Sequence, residues 1–185
     1  MITLQKIQEA QKRIAPFINY TPLIHSKHLS NNSTVKLKLE SLQITGSFKL
    51  RGAINKLLSL NKDQKQKGVI AVSTGNHGKG VAYAANILGI KSTICMSSMV
   101  SQYRKEAIEA LGAKVKIVGN NSDEADQYAK KLAKIENITL VHPFDDEEII
   151  AGQGTVGLEM LETFPEVDTV VIPTSGGGLS GGIAI

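Results

Sequence analysis

A chain of 185 residues, 42% hydrophobic and 21% charged, has enough apolar material for one domain or two small ones, and four Phe, four Tyr and no Trp point to an aliphatic interior of buried strands under Ala/Leu helices. The net charge of +4 does not mark a nucleic-acid binder, because basic residues alternate with acids, as Lys130 and Lys131 do against Glu124 and Asp126. The lone Cys95 excludes an intrachain disulfide, residues 1–7 lack the apolar run of a signal peptide, and no stretch is long enough to span a bilayer, so a cytoplasmic location is expected.

Apolar residues at Ile7, Ala10 and Ile14 predict a first helix ending before Pro16, then an irregular link through Tyr20-Thr21-Pro22-Leu23. The alternation over 35–40 predicts a strand with one covered face. Ser47 is placed to cap a helix over about 48–60, with Gly46 turning the chain before it. From Gly68 a regular beat sets in: strands at 69–72, 92–96, 114–118 and 139–141 alternate with helices at 76–88, 101–111 and 122–135. That spacing means parallel strands joined by crossover helices. After Pro143 come a helix to Leu161, an apolar strand at 167–172, a glycine loop and the start of a helix at Ile183. The last strand has no following partner and the last helix no further turns, so an incomplete, cut-short α/β unit is expected. The expected division is a small open parallel-sheet α/β domain at 68–145, inserted in an incomplete larger α/β domain made of 1–67 and 146–185. The apolar surface so left open favours association with itself or with a partner.

Three segments hold residue types beyond what their turns need. In Thr45-Gly46-Ser47-Phe48-Lys49-Leu50-Arg51-Gly52, Lys49 lies near a helix start, the positive end of the dipole, where a cation gains nothing. A surface lysine is the ordinary occupant of such a place. A lysine whose pKa burial lowers is what Schiff-base chemistry uses, since only the neutral amine attacks an aldehyde. Ser73-Thr74-Gly75-Asn76-His77-Gly78 joins the carboxyl end of a strand to the next helix, where free N–H groups favour an anion such as a substrate carboxylate. Turns and caps use the same residue types, but two hydroxyls, an amide and an imidazole within five residues exceed that need. In Ser175-Gly176-Gly177-Gly178-Leu179 consecutive glycines let backbone N–H groups turn inward around a phosphate. The loop lacks the Lys-Ser/Thr ending of a P-loop and the spacing of a dinucleotide fingerprint, which argues against a nucleotide-binding module.

Taken in order with Thr21-Pro22-Leu23, Lys38-Leu39-Glu40, Ala110-Leu111-Gly112-Ala113, Val141-His142-Pro143-Phe144-Asp145 and Ile150-Ala151-Gly152-Gln153-Gly154-Thr155, these segments resemble the fold-type II pyridoxal-phosphate (PLP) family of threonine and serine dehydratases and serine racemase. The resemblance covers essentially the whole chain and implies a tryptophan synthase β-like PLP fold. It implies Lys49 as the covalent carrier of PLP, Phe48 beside the pyridine ring, Asn76 on the ring hydroxyl oxygen, and Ser175, Gly176, Gly177, Gly178 and Leu179 around the phosphate. Ser73, Thr74, Asn76 and His77 would hold the substrate carboxylate, with Lys49 and Thr74 as the catalytic pair. No metal ligands are assigned within the chain. The activity implied is a dehydratase, or ammonia-lyase, that turns a small β-hydroxy amino acid such as threonine or serine into a 2-oxo acid and ammonia. Thr74 departs from the serine that racemases place there and the alanine of many threonine dehydratases; its branched carbon restricts where the hydroxyl can reach, which counts against racemase activity and points to a 3-hydroxyaspartate-type dehydratase, with serine racemase kept as a further alternative. Family members continue past the glycine loop. The chain is therefore expected to act as a homo-oligomer or with a complementing C-terminal half, the other alternative being an inactive truncated remnant or half of a split enzyme.

Overall fold

Thr3 accepts a hydrogen bond from the Lys6 N–H and opens helix α1 (Leu4–Ile14), which buries Ile7, Ala10 and Ile14 along one face. The computed structural model describes residues 1–185. A 3-10 turn at Ala15–Phe17 leads to an antiparallel pair, β1 (Leu23–His25) and β2 (Lys36–Lys38), with Leu23 opposite Lys38. The strand expected over 35–40 is shorter than that, because the chain leaves the ladder for a second 3-10 turn at Glu40–Leu42. Helix α2 (Lys49–Ser59) follows. Ser47 does not cap it: Phe48 holds the N-cap position with helical dihedrals and no side-chain bond, and the Ser47 hydroxyl is buried without a partner. The short helix α3 (Lys62–Lys67), absent from the sequence reading, is held by reciprocal bonds between Asn61 and Gln64.

The middle of the chain runs β3 (Val69–Val72), α4 (Asn76–Ile87), β4 (Ser92–Met96), α5 (Gln102–Glu109), β5 (Lys114–Ile117), α6 (Ser122–Glu136) and β6 (Thr139–Leu140). All pairings are parallel, in the order β5-β4-β3-β6. Successive strands step outward from β3 on one side, and the chain then returns to add β6 on the other. Strand order therefore reverses between β3 and β6, and the crevice beyond their carboxyl ends is the place where open parallel sheets bind ligands. Cys95 on β4 is buried and free, and burial pushes its thiol pKa up.

Asp146 accepts from the N–H groups of Glu148 and Ile149 and starts α7 (Glu147–Thr163); α8 (Gly178–Ile183) is the last element. The strand expected over 167–172 does not form. No other strand of the chain runs beside it to pair with its N–H and C=O groups, and Val171 is 92% exposed.

Close crossings lock α7 between α2 and α8. A Cβ at Gly152 would lie 2.6 Å from the Gly52 Cα, and one at Gly154 would lie 2.6 Å from the Gly182 carbonyl oxygen. Two residues along a helix turn about 200°, so these glycines face opposite sides. Helix α4 comes nearly as close: a Cβ at Gly80 would stand 3.2 Å from the Lys49 carbonyl carbon and oxygen. One apolar cluster runs through these contacts, from Ile14 and Leu50 through Val81 to Ile94 and Ile149.

The motif residues around Lys49 supply a buried ion cluster. Arg51, fully buried, donates to Glu40 at 2.8 Å from both Nε and Nη2, and to Glu159 at 2.6 Å from Nη1 and 2.9 Å from Nη2. Lys38 pairs with Glu159 and donates to the Thr21 carbonyl at 2.6 Å. Two cations meet two carboxylates, so the cluster is neutral, and the paired charges tie β2, α2 and α7 together.

Candidate active site

Lys49 opens α2 next to the switch-point crevice. Its Nζ donates to the Pro143 carbonyl oxygen at 2.7 Å, and burial lowers its pKa below the ordinary lysine value. The Phe48 ring lies on the same side, its centroid 5.4 Å from the amine. Across from them the loop 175–179 packs onto Phe144. A Cβ at Gly176 would clash with the Phe144 ring at Cδ1 and Cγ, and one at Gly178 would lie 2.9 Å from the Phe144 carbonyl oxygen. Gly177 takes φ 82°, a left-handed conformation that side chains resist, and this turns the loop into α8. Between lysine and loop is a cavity of about 360 Å³, walled by Phe48, Lys49, Phe144 and residues 173–180.

The segment 141–145, just past β6, is the hub of the site. Val141 O receives the His77 ring, Pro143 O receives Lys49, and Phe144 supports the glycine loop. His142 Nδ1 accepts the Asp145 N–H at 2.8 Å, and its ring meets Phe144 edge to face at 4.7 Å. Residue type alone gives Pro143 and Phe144 no role. The signal that could have found them is position, since they follow the carboxyl end of the strand beside β3 at the switch point.

The loop 73–77 leaves β3 and enters α4. Ser73 Oγ accepts the Gly75 N–H at 3.2 Å. Asn76 is exposed in the first helical turn. His77 is not a surface imidazole: it is 4% exposed, with Nε2 3.0 Å from Val141 O. Burial, with the nearby Lys49 charge adding to it, pushes its pKa down to about 4, so the ring is neutral. With Nε2–H donating to Val141, Nδ1 is left as a buried acceptor without a partner. What His77 presents at the crevice is its main chain, in the helix turn whose N–H groups have no intrahelical acceptor.

The structure thus gathers Phe48, Lys49 and residues 175–179 around one cavity and joins His77 to it through 141–143. Ser73, Thr74 and Asn76 do not line that cavity; Thr74 borders a second one, of about 370 Å³.

The family described as "Pyridoxal-phosphate dependent enzyme" matches residues 14–185. The catabolic L-threonine dehydratase TdcB of Staphylococcus aureus (strain USA300) is 49% identical over 187 residues, covering 100% of this chain and 54% of the relative. The chain therefore spans about half the length of the curated relatives it matches. The structure of maize serine racemase superposes with a TM-score of 0.95 at 35% identity, over 99% of this chain and 56% of that one. The processed form of threonine deaminase isoform 2 from Solanum lycopersicum gives 0.94 at 35% identity, over 97% and 50%.

Proposed function

Since the chain belongs to the pyridoxal-phosphate dependent enzyme family, we propose that the protein it forms part of is an ammonia-lyase that dehydrates a small β-hydroxy amino acid, with L-threonine or L-serine as substrate. The observation that carries the reading is the half-buried Lys49 amine, its pKa lowered, facing a glycine-rich loop across a single cavity. PLP fits these residues: an aldehyde needs a neutral amine, the ring needs an apolar wall such as Phe48, and the phosphate needs inward N–H groups such as those the Gly177 turn can present. When bound, PLP would supply an electron sink for charge developing at the substrate α-carbon.

The chain's own residues do the rest. Lys49 would hold the cofactor and, once free, take the α-proton as general base; its lowered pKa keeps a larger share of the amine neutral. The N–H groups opening α4, with Ser73 and Asn76, would hold the substrate carboxylate, while the neutral His77 ring braces that turn against Val141. The Thr74 hydroxyl would serve as proton donor. The 49% identity to a threonine dehydratase favours threonine over the racemase and 3-hydroxyaspartate alternatives. The same proposal includes the division of the chain at 68–145, a cytoplasmic location and a homo-oligomeric or complemented assembly. No helix is long and apolar enough to cross a membrane.

The test is to titrate the chain with PLP, follow the visible absorbance, reduce with borohydride and locate the adduct by peptide mass. An adduct on Lys49 that disappears in Lys49→Ala is expected. Labelling spread over surface lysines, unchanged in that variant, would overturn the assignment.

A further inference from the structure

The second cavity lies apart from the lysine and the glycine loop. It opens beyond the carboxyl ends of β3 and β4, with a volume of about 370 Å³. Thr74, two residues past β3, and Ser97, the first residue past β4, form its floor; Ser101, Arg104 and Ser122 stand around it. None of these five side chains has a hydrogen-bond or ion-pair partner within the protein. Ser101 occupies the N-cap position of α5, yet its hydroxyl makes no cap bond. Ser122 is the first residue of α6, capped instead by Asn121. Ser97 is 7% exposed, and its hydroxyl has no partner within the protein, its oxygen reaching solvent where the residue lines the cavity.

The charge is one-sided as well. Arg104 brings a guanidinium, α5 begins at the rim with no acid in its first turn and adds the positive end of its dipole, and no Asp or Glu lines the space, although Asp123 and Glu124 offset the dipole of α6. Four hydroxyls and a guanidinium make a donor set suited to an acceptor-rich anion. Arginine matches the planar, two-oxygen edge of a carboxylate or phosphate in particular. A merely solvated surface accounts for Ser101, Ser122 and Arg104, whereas Ser97 is set more than nine-tenths into the protein with its unpartnered hydroxyl open at the cavity.

We propose that this cavity binds a small oxyanion, a carboxylate or a phosphate, with Arg104 and Ser97 as its principal donors. Binding here does not depend on Lys49 or on PLP, so the inference can fail while the cofactor reading stands, and the reverse. Thr74, the proton donor of the proposed reaction, lines this second cavity, and an occupied oxyanion site would hold it from there.

The experiment is an amide-shift titration of the isotopically labelled chain with inorganic phosphate, and separately with malonate, at low ionic strength. Saturable shifts centred on Thr74, 97–104 and Ser122 are expected, weakened roughly tenfold in Arg104→Gln, by a smaller factor in Ser97→Ala, and retained in Lys49→Ala. Arg104 is exposed and unpaired, so its variant keeps the fold. Two sources of the oxyanion are then told apart. A substrate side-chain carboxylate would make L-aspartate shift 97–104 only in the PLP-loaded chain, whereas a free effector anion would act in either form. Shifts confined to 175–179, or binding unchanged in Arg104→Gln, would overturn the proposal.

Discussion

Replacing Gly152 with alanine tests whether the α2–α7 crossing sets the place of Lys49. In a helix interior this change by itself stabilises by about 1 kcal/mol. Here the new carbon would stand 2.6 Å from the Gly52 Cα, 2.7 Å from the Arg51 carbonyl oxygen and 2.9 Å from the Arg51 carbonyl carbon. Carbon atoms rest at about 3.5–4.0 Å, so the helices must part by roughly 1 Å, and because every obstructing atom is main chain no rotamer change relieves the clash. Overpacking of this kind costs about 1–3 kcal/mol, enough to outweigh the gain in helix propensity. Gly157→Ala in the same helix is the control: its new carbon would meet Ile183 at 3.4 to 3.5 Å, an ordinary contact, and the variant should be neutral or more stable by up to about 1 kcal/mol. Urea unfolding followed by circular dichroism reads both midpoints, and PLP absorbance reads the site. Gly152→Ala should have the lower midpoint and the weaker PLP binding, since separating α2 from α7 moves Lys49 relative to the loop 175–179. A Gly152→Ala midpoint equal to or above that of Gly157→Ala would refute the reasoning.

Arg51→Met leaves Glu40 and Glu159 buried with Lys38 as their remaining cation, and should lower stability by about 3–5 kcal/mol in urea unfolding; a loss under 1 kcal/mol, of the order seen for exposed pairs, counts against the cluster's role. Burial holds the folded His77 pKa at about 4 against 6.5 for the free ring, so the unfolded chain binds the proton first. The stability is therefore complete above pH 6.5 and is lost as pH falls toward 4, by roughly 3 kcal/mol in all. His77→Gln should flatten that part of a stability–pH profile taken at high salt, where the exposed Glu147 pairs with Lys6 and the N-terminus are screened; parallel profiles would show that another group titrates. Gly177→Ala forces a side chain into a left-handed conformation at φ 82°, at about 1–2 kcal/mol. It should weaken PLP binding more than it lowers the melting temperature, and unchanged PLP affinity would separate the loop from the cofactor.

Elements whose bonds close within a few residues were legible in the chain. The β3 to β6 alternation was read to within a residue or two at most boundaries, because short apolar runs and glycine stops report local geometry. Lys49 stood out by being misplaced at a helix start, and the structure explains the oddity by burying its amine. The failures share one cause. Residues 167–172 have every local mark of a strand, but a strand exists only where another pairs with it, and this chain brings none alongside. Ser47 has the side chain of a cap, but the turn at Gly46 delivers Phe48 to that position instead.

The sequence by itself determined the parallel α/β unit, the family resemblance, the lysine and the glycine loop, since each is written in residue type and spacing over short stretches. Only the tertiary structure decided that Pro143 and Phe144 join lysine to loop, that His77 turns its ring inward, that Arg51 belongs to a neutral buried cluster, and that Thr74 faces a second cavity. Most of those facts depend on contacts between residues 30 to more than 100 positions apart, as in the bonds from Arg51 to Thr21 and to Glu159, and no local pattern of residues encodes which distant side chain will arrive opposite.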